Sequence, residues 1–272
     1  MSDLITMDDL TNDEIVEILD AADRLLPVAK GDVYAPLLQG KVLGNLFFEN
    51  STRTRMSFES AMKRLGGEVV NLSSVGSSVA KGETLYDTMQ MVDGYSDIAV
   101  IRHPQQGAAQ YSADAVEIPV LNAGDGAGDH PTQTMLDLFT IRQAHGTLEG
   151  LNVVLVGDLR YGRTTHSLSH ALVRFGAKLT LVSPESLTMP AEIVGDLQRH
   201  GADVTESEDM ASAIPEADVI YMTRIQKERF PDEDEYTKVA GIYKMTADDL
   251  SGAKGGMIVM HPLPRVEEID PS

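Results

Sequence analysis

Short apolar runs rich in β-branched residues alternate along this chain with stretches of helical periodicity. Several runs, such as VVLVG at 153–157, are apolar without interruption. Such runs are typical of parallel strands that are covered on both faces, and their alternation with helices indicates βαβ units. We therefore predict an α/β fold built on parallel sheets.

The predicted elements divide the chain into two halves. We place strands at 41–48, 68–72, 97–101, 118–121, 151–156, 178–182, 218–222 and 257–260, and helices at 10–27, 53–65, 84–94, 106–114, 131–145, 163–175, 190–200 and 207–213. These strands fit one large sheet or two smaller ones. The polar, glycine-marked segment RQAHGTLEGLN at 142–152 favours two domains, 1–145 and 146–272, each a parallel sheet flanked by helices.

Composition narrows the location and the chemistry. The chain contains no cysteine, which excludes disulfides, thiolate zinc sites and a cysteine nucleophile and agrees with a cytoplasmic location. Its start, MSDLITMDDLTNDEI, lacks a basic segment followed by an apolar one, so secretion is not expected. No run approaches the ~20 apolar residues that span a bilayer, so no membrane contact is expected.

The charge balance is strongly acidic, with a formal net charge of −20. Nucleic acid favours basic surfaces, so it is not an expected partner. The plain interpretation is a solvated acidic surface. A sharper hypothesis is adaptation to a salty cytoplasm, in which screening relieves self-repulsion. Full stability and activity at low ionic strength would contradict that hypothesis.

Within this acidic chain, FFENSTRTRMSFESAMKRLGG at 47–67 concentrates hydroxyl groups and arginines where a strand gives way to a helix. Ser51 or Thr52 is a natural N-cap, which leaves Arg53, Thr54 and Arg55 in the first turn. Cations are unfavourable there because the helix dipole is positive at that end. Backbone N–H groups, hydroxyls and guanidinium groups together form a phosphate cradle, so the segment predicts an anion site.

Polar groups also follow the strand predicted at 118–121. The glycine-rich loop LNAGDGAGD leads into HPTQT, where Pro131 begins a helix. A neutral imidazole at His130 can donate to a carbonyl oxygen, and the amide of Gln133 can both donate and accept. Taken alone, His130 is better interpreted as an ordinary hydrogen-bonded histidine, and a functional role is favoured only beside the other motifs.

The strand at 151–156 is followed by GDLRYGRT, which differs from a P-loop chiefly in having Arg163 where that motif has lysine. Nucleotide hydrolysis is therefore an alternative function, although a second acidic motif for magnesium is not evident. A carboxylate fork at Arg163 is the better interpretation. His166 and His170, four residues apart, are a weak zinc candidate because a third ligand is not evident.

Cations follow the strand at 218–222 as well. In MTRIQKERF, Arg224 is the first of these cations, and Lys227 and Arg229 are interpreted as partners of Glu228 or of the acidic run that follows. VMHPLPR ends the last strand with two prolines around Leu263, a rigid turn.

Together these segments resemble the aspartate and ornithine carbamoyltransferases. Six motifs besides FENSTRTRMSFE occur in the family's order: VAKGETLYDT, IRHP, GDGAGDHPTQTMLDLFTI, GDLRYGRTTHSLSHAL, MTRIQKERF and HPLPR. TRIQKERF and HPLP resemble the aspartate branch, whereas the ornithine branch typically has a cysteine in the last motif. The resemblance implies transfer of the carbamoyl group of carbamoyl phosphate to the α-amino group of L-aspartate, the committed step of pyrimidine biosynthesis. It implies no cofactor and no metal.

The resemblance also assigns site residues. It implies that carbamoyl phosphate is bound by Ser51, Thr52, Arg53, Thr54, Arg102, His130, Gln133, Leu263 and Pro264, and aspartate by Lys81, Arg163, Arg224 and Gln226. Arg53, Thr54, Arg102 and His130 are the expected catalytic residues. Thr54, Arg102 and His130 hold the carbamoyl oxygen, Gln133 the carbamoyl nitrogen, and the 263–264 backbone carbonyls the amide.

Assembly follows from the same resemblance. The loop SSVGSSVAKGETLYDT reaches the neighbouring subunit's site in this family, so Lys81 and either Ser77 or Ser78 are expected there, in a homotrimer with shared sites. Whether a regulatory chain binds stays open.

Family members continue by one or two helices beyond HPLPRVEEIDPS, so a missing C-terminal helix is expected. An inactive relative that scaffolds other proteins is a third hypothesis.

Overall fold

The protein, described here by a computed structural model, divides between Met135 and Leu136 into two compact units. The structure describes residues 3–74, 77–226, 230 and 232–270. The two units are called the N-terminal unit and the C-terminal unit. The division falls within a helix, ten residues before the domain boundary predicted at 145/146.

The N-terminal unit contains a parallel four-stranded sheet with the order β2-β1-β3-β4. Its strands are β1 (Val42–Phe47), β2 (Glu68–Ser73), β3 (Ile98–His103) and β4 (Val120–Asp125), and its helices are α1 (Asn12–Lys30), α2 (Thr52–Arg64), α3 (Leu85–Tyr95) and α4 (Ala108–Asp114). Helix α5 (Pro131–His145) begins in this unit. Leu46, Ile101 and Val120 belong to a buried apolar cluster of this unit.

The C-terminal unit contains a parallel five-stranded sheet with the order β7-β6-β5-β8-β9. Its strands are β5 (Asn152–Val156), β6 (Lys178–Val182), β7 (Val204–Ser207), β8 (Val219–Met222) and β9 (Ile258–Met260), and its helices are α6 (Arg163–Val173), α7 (Ala191–Arg199), α8 (Met210–Ala213) and α9 (Glu233–Val239). Tyr221 in β8 is fully buried, and its hydroxyl donates to Asp137 Oδ2 at 2.8 Å. A buried tyrosine hydroxyl needs such a partner.

The predicted α/β fold with two parallel sheets is confirmed, and each of the predicted strands forms a strand. Strand β7 was not predicted, because VTES is short and largely polar and lies at the sheet edge. Helix α9 was missed because its acidic sequence has no apolar periodicity. Of the helix predicted at 207–213, only the single turn of α8 forms. Ser207 belongs to β7 instead.

Helix α1 differs from its prediction at the C-terminal end. The prediction places its end at residue 27, but the helix continues through Pro27 to Lys30. It ends where Gly31 adopts a left-handed conformation (φ +86°) and its N–H bonds to helix carbonyls, a geometry that favours glycine. The start is a capping box, in which Thr11 accepts from Glu14 N and Glu14 accepts from Thr11 N.

Each sheet reverses its strand order once. In the N-terminal unit the reversal lies between β1 and β3, and in the C-terminal unit between β5 and β8. Connections from these neighbouring strands leave on opposite sides, which opens a crevice beyond their carboxyl ends. Most of the predicted binding residues follow these four strands. None of the helices formed by the described residues combines the length and apolar character that crossing a membrane requires.

Candidate active site

The first turn of α2 follows β1 and is rich in hydrogen-bond donors. Ser51 is the N-cap by its extended backbone, but no side chain caps the helix, and its first turn contains no acidic residue. Arg53 is exposed and Thr54 is half-buried. The positive end of the helix dipole and the positive charge of Arg53 therefore lie at the same helix terminus, where no anionic cap offsets them. The predicted anion site requires this arrangement.

Arg102 lies at the carboxyl end of the neighbouring strand, β3, and its side chain is only 12% exposed. Its Nη1 donates to the Ala123 carbonyl at 3.1 Å. Its Nε lies 3.4 Å from Glu49 Oε2, an ion pair without the alignment of a hydrogen bond. Burial lowers the pKa of Arg102, and Glu49 opposes this. The positive charge of Arg53 lowers the same pKa, so the two guanidinium groups influence each other.

His130 precedes α5 and is 6% exposed. Its Nδ1 lies 3.3 Å from the Thr132 hydroxyl. Gln133 occupies the first turn of α5, where its N–H donates to the His130 carbonyl at 2.9 Å. Both side chains thus lie beyond the carboxyl end of β4, as predicted.

The loop before His130 is held by a buried carboxylate. Asp125 accepts hydrogen bonds from Gly107 N and Asp129 N, both at 2.9 Å. A Cβ at Gly128 would lie 2.4 Å from Asp125 Oδ1, and one at Gly126 (φ +58°) would lie 2.5 Å from the Pro104 carbonyl. The glycines of this loop are therefore required by the close approach of neighbouring atoms.

The segment expected to reach a neighbouring subunit is only partly described, because Val75 and Gly76 lie outside the described residues. Ser77 is half-buried, and its hydroxyl donates to the Ser74 carbonyl at 3.1 Å. Ser78 and Lys81 are exposed, at the two ends of a 3₁₀ turn. The choice between the two serines stays open.

In the C-terminal unit, Asp158 links the loops that follow β5 and β8. It is buried, and burial raises its pKa, whereas the N–H groups of Tyr161 and Gln226 act in the opposite direction. They donate to its carboxylate at 2.9 and 3.4 Å. Asp158 N in turn donates to Thr223 Oγ1 at 3.1 Å. One buried carboxylate therefore sets the distance between the Arg163 loop and the Arg224 loop.

This carboxylate argues against the nucleotide alternative. In a P-loop, backbone N–H groups point at a phosphate. Here the N–H of Tyr161 points at Asp158 instead, and a buried carboxylate repels phosphate. The zinc alternative is weak for a similar reason: His166 Nε2 lies 2.7 Å from the Leu159 carbonyl. Within the described residues, no group of three or more metal-ligating side chains is arranged to hold an ion.

The remaining cations lie at the ends of the central strands. Arg163 begins α6 and Arg224 follows β8; both are half-buried. Gln226 Nε2 donates to the Tyr161 carbonyl at 3.1 Å. Leu263 has φ +58°, a conformation that costs a non-glycine residue about 1–3 kcal/mol. Lys227 and Arg229 lie outside the described residues.

The sequence pointed to the cationic residues but not to the polar groups that contact Arg102 and fix the loops of the C-terminal unit. Glu49, Asp158 and Thr223 were not singled out, although all three stand within motifs named above. An acidic residue within an otherwise cationic motif was the available signal. The structure places Arg102 beside the segment that leads into α2, since Phe48 N donates to the Arg102 carbonyl at 2.8 Å, and it joins the loops of Arg163 and Gln226 in the C-terminal unit.

Family models match nearly the whole chain. Residues 2–143 match the carbamoyl-P binding domain of the aspartate/ornithine carbamoyltransferases, and residues 149–272 match their Asp/Orn binding domain.

Individual relatives match over a similar extent. An aspartate carbamoyltransferase catalytic subunit from Archaeoglobus fulgidus is 54% identical over 273 residues, which cover 100% of this chain and 90% of that protein. The corresponding subunit from Methanothrix thermoacetophila is 55% identical, with 99% and 88% covered.

Solved structures agree. The catalytic subunit of M. jannaschii aspartate transcarbamoylase superposes with a TM-score of 0.93 at 48% identity and covers 100% of this chain and 89% of its own. The Trypanosoma cruzi aspartate transcarbamoylase in complex with carbamoyl phosphate superposes with a TM-score of 0.93 at 39% identity. The match covers 99% of this chain and 87% of that chain. The resemblance seen in the motifs is thereby confirmed: the chain belongs to the aspartate/ornithine carbamoyltransferase family, within its aspartate branch.

Proposed function

We propose that this chain transfers the carbamoyl group of carbamoyl phosphate to the α-amino group of L-aspartate, giving N-carbamoyl-L-aspartate and phosphate. The observation that carries the proposal is the uncapped first turn of α2, with Arg53 on it and the buried Arg102 on β3, in register with Phe47 at the end of the strand that precedes α2. It supplies backbone donors and two positive charges for a phosphate. Relatives bearing the name of this activity match over the full chain.

The reaction needs positive charge in an acidic protein. Carbamoyl phosphate is close to a dianion and aspartate has two carboxylates, whereas the chain has a net charge of −20. Local cations must therefore outweigh the overall field. Those assigned to the substrates are Arg53, Arg55, Arg102, Arg163, Arg224 and Lys81.

The residues assigned to carbamoyl phosphate can be grouped by the part of the substrate that they bind. Ser51, Thr52 and Arg53 bind the phosphate through the α2 terminus. Thr54, Arg102 and His130 donate to the carbamoyl oxygen, where negative charge develops. Gln133 and the carbonyls of Leu263 and Pro264 bind the carbamoyl amide.

The aspartate set uses guanidinium forks. Arg163 and Arg224 each pair with a carboxylate, since a guanidinium matches the planar geometry of that group. Gln226 and Lys81 complete the set. The buried Asp158 positions the two arginine-bearing loops through its bonds to Tyr161 and Gln226.

The chemistry needs no protein nucleophile. The neutral α-amino group attacks the carbamoyl carbon, and a tetrahedral intermediate forms. The bond from that carbon to the phosphate oxygen then breaks, and the departing phosphate accepts a proton from the nitrogen. The assigned residues act by positioning the substrates and stabilising the developing oxyanion.

The direct test is product formation from carbamoyl phosphate with aspartate or ornithine, measured across a range of salt. We expect carbamoyl aspartate and no citrulline. Citrulline alone would overturn the aspartate assignment, and neither product would favour an inactive scaffold. ATP binding by calorimetry would revive the nucleotide alternative.

A homotrimer with shared sites is part of this proposal, because Lys81 is exposed on a short turn remote from the other aspartate ligands in sequence. The expected partners are thus two further copies of this chain. The names of the relatives specify a catalytic subunit, which supports a regulatory chain as a further partner. A cytoplasmic location fits the absence of cysteine, and the product fits pyrimidine biosynthesis.

Sharing can be tested by mixing two inactive variants, Lys81→Gln and Arg53→Ala. Random exchange into trimers should restore about a quarter of the wild-type activity, because that fraction of sites combines an intact loop with an intact α2 terminus. Mass measurement verifies exchange. A mixture of Lys30→Gln, an exposed lysine on α1, with Arg53→Ala is the matched control for exchange. Verified exchange without any regained activity would contradict shared sites.

A further inference from the structure

The turn that begins with HPLPR contains a buried pair of side chains that the proposed reaction does not use. His261 directly follows β9, and Glu268 lies seven residues further on. His261 Nε2 is 2.7 Å from Glu268 Oε1, and the two side chains are only 5% and 10% exposed. Burying an imidazole and a carboxylate together is costly unless their polar atoms are satisfied, so the pair invites a functional explanation.

Both partners of the pair bind the backbone of the turn between them. His261 Nδ1 accepts a hydrogen bond from Leu263 N at 2.8 Å. Glu268 accepts from Val266 N at 3.1 Å and from Glu267 N at 3.0 Å. The pair therefore fixes the turn on both sides of the Leu263–Pro264 segment.

The pair is itself anchored to the fold. His261 continues from β9, an edge strand of the sheet in the C-terminal unit. Glu268 is held by its backbone, whose carbonyl accepts from the N–H of the buried Met245 at 2.9 Å. Between these two anchors, Leu263 has the sparsely populated φ of +58°, with its side chain exposed. Such a conformation persists where neighbouring contacts over-determine it, and the bond from Leu263 N to His261 is one such contact.

The hydrogen bond from Leu263 N also fixes the tautomer of the ring. Because Nδ1 accepts from Leu263 N, the proton of a neutral imidazole must lie on Nε2, the nitrogen 2.7 Å from Glu268 Oε1, although these two groups form a close ion-pair contact without the alignment of a hydrogen bond. Burial lowers the pKa of His261; the cations Arg224 and Arg265 act in the same direction, and Glu268 opposes them. Three backbone donors and His261 together hold the pKa of Glu268 below its ordinary value despite burial. A neutral ring beside a charged carboxylate follows.

We infer that His261 is a positioning residue, held by Glu268, whose ring nitrogen Nδ1 sets the direction of the Leu263 and Pro264 carbonyls toward the carbamoyl amide. This inference rests on the proposed function, which assigns those two carbonyls to carbamoyl phosphate. The ring itself touches no substrate. Its effect is on the geometry of the turn, where a displacement of about 1 Å can cost 10²-fold in rate.

Two substitutions at this position separate the two contacts of the ring. In His261→Asn, the side-chain oxygen can still accept from Leu263 N, as in an Asx turn, but it does not extend to Glu268. In His261→Gln, the amide can extend to Glu268, but the acceptor for Leu263 N is lost. We expect kcat/KM for carbamoyl phosphate to fall by about 10- to 10²-fold in His261→Gln and by less than about threefold in His261→Asn.

Controls and contrary results are well defined. The same substitutions at His200, which is exposed on the surface, should leave kcat/KM for carbamoyl phosphate unchanged. Circular dichroism melts verify that each variant folds. A wild-type kcat/KM in His261→Gln, or equal losses in both variants, would overturn the positioning role. The proposed function would stand in that case if the wild-type protein transferred the carbamoyl group. A wild-type protein without carbamoyl transfer would overturn both.

A pH profile decides the matter even if His261→Gln does not fold. Protonation of Nδ1 removes the acceptor for Leu263 N, whereas an asparagine side chain does not titrate in this range. Since the folded pKa of His261 is lowered, the loss occurs below the ordinary histidine value. The ratio of wild-type to His261→Asn kcat/KM should therefore fall as the pH decreases below about 6.5. A flat ratio would contradict the inference, because titration of the substrate affects both proteins equally.

Discussion

Replacing His130 by alanine is expected to lower kcat about 10²- to 10³-fold, the cost of one preorganised oxyanion donor. His130 is buried at the start of α5, its Nδ1 lies 3.3 Å from the Thr132 hydroxyl, and the glycine loop before it is fixed by Asp125. The donor is thus oriented before the reaction begins. Thr54→Ala should fall in the same range. The Thr54 main-chain carbonyl accepts from Ser57 Oγ, and that bond remains in the alanine variant.

The measurement is steady-state turnover with carbamoyl phosphate and aspartate, together with thermal melts. His200→Ala and Thr205→Ala, both at exposed positions, serve as matched controls that should retain wild-type kcat. Because an oxyanion interaction acts in the transition state, kcat and kcat/KM should fall together. Near-normal kcat in folded His130→Ala and Thr54→Ala proteins would refute both assigned roles.

Replacing Arg163 by alanine is expected to lower kcat/KM for aspartate by about 10²-fold or more, since a carboxylate of the substrate would lose the half-buried guanidinium as its charge-assisted partner. Arg163→Lys should recover only part of this loss, because lysine keeps the charge but not the planar fork. Arg224→Ala should behave like Arg163→Ala. Binding of carbamoyl phosphate should change much less in all three variants.

Calorimetry with each substrate and full saturation kinetics separate these effects. Arg199→Ala, whose side chain is 70% exposed and pairs with Asp196, is the matched control. If Arg163→Ala weakened carbamoyl phosphate binding and left KM for aspartate unchanged, the arginine would belong to the other substrate. Unchanged kinetics in both Arg163→Ala and Arg224→Ala would remove the carboxylate assignment altogether.

Most of the elements could be predicted from local sequence because their signals are local. A buried parallel strand is an uninterrupted apolar run, and β5 and β8 were found in this way. Strand β7 has no such run, because an edge strand buries less of itself. Helix α1 extends three residues beyond its predicted end at residue 27. It ends at Lys30 because the next residue, Gly31, adopts a left-handed conformation.

The chain sequence by itself determined the alternation of strands and helices, the family, and the cations that follow the strands, because each depends on residue type and near neighbours. Only the tertiary structure decided the strand order of each sheet and the partners of the buried charges. Glu49 meets Arg102, the Asp158 carboxylate meets the N–H of Gln226, and His261 meets Glu268 through folding of the backbone. The physical reason is that a buried charge needs a partner in space, and separation along the chain does not reveal which residue that will be.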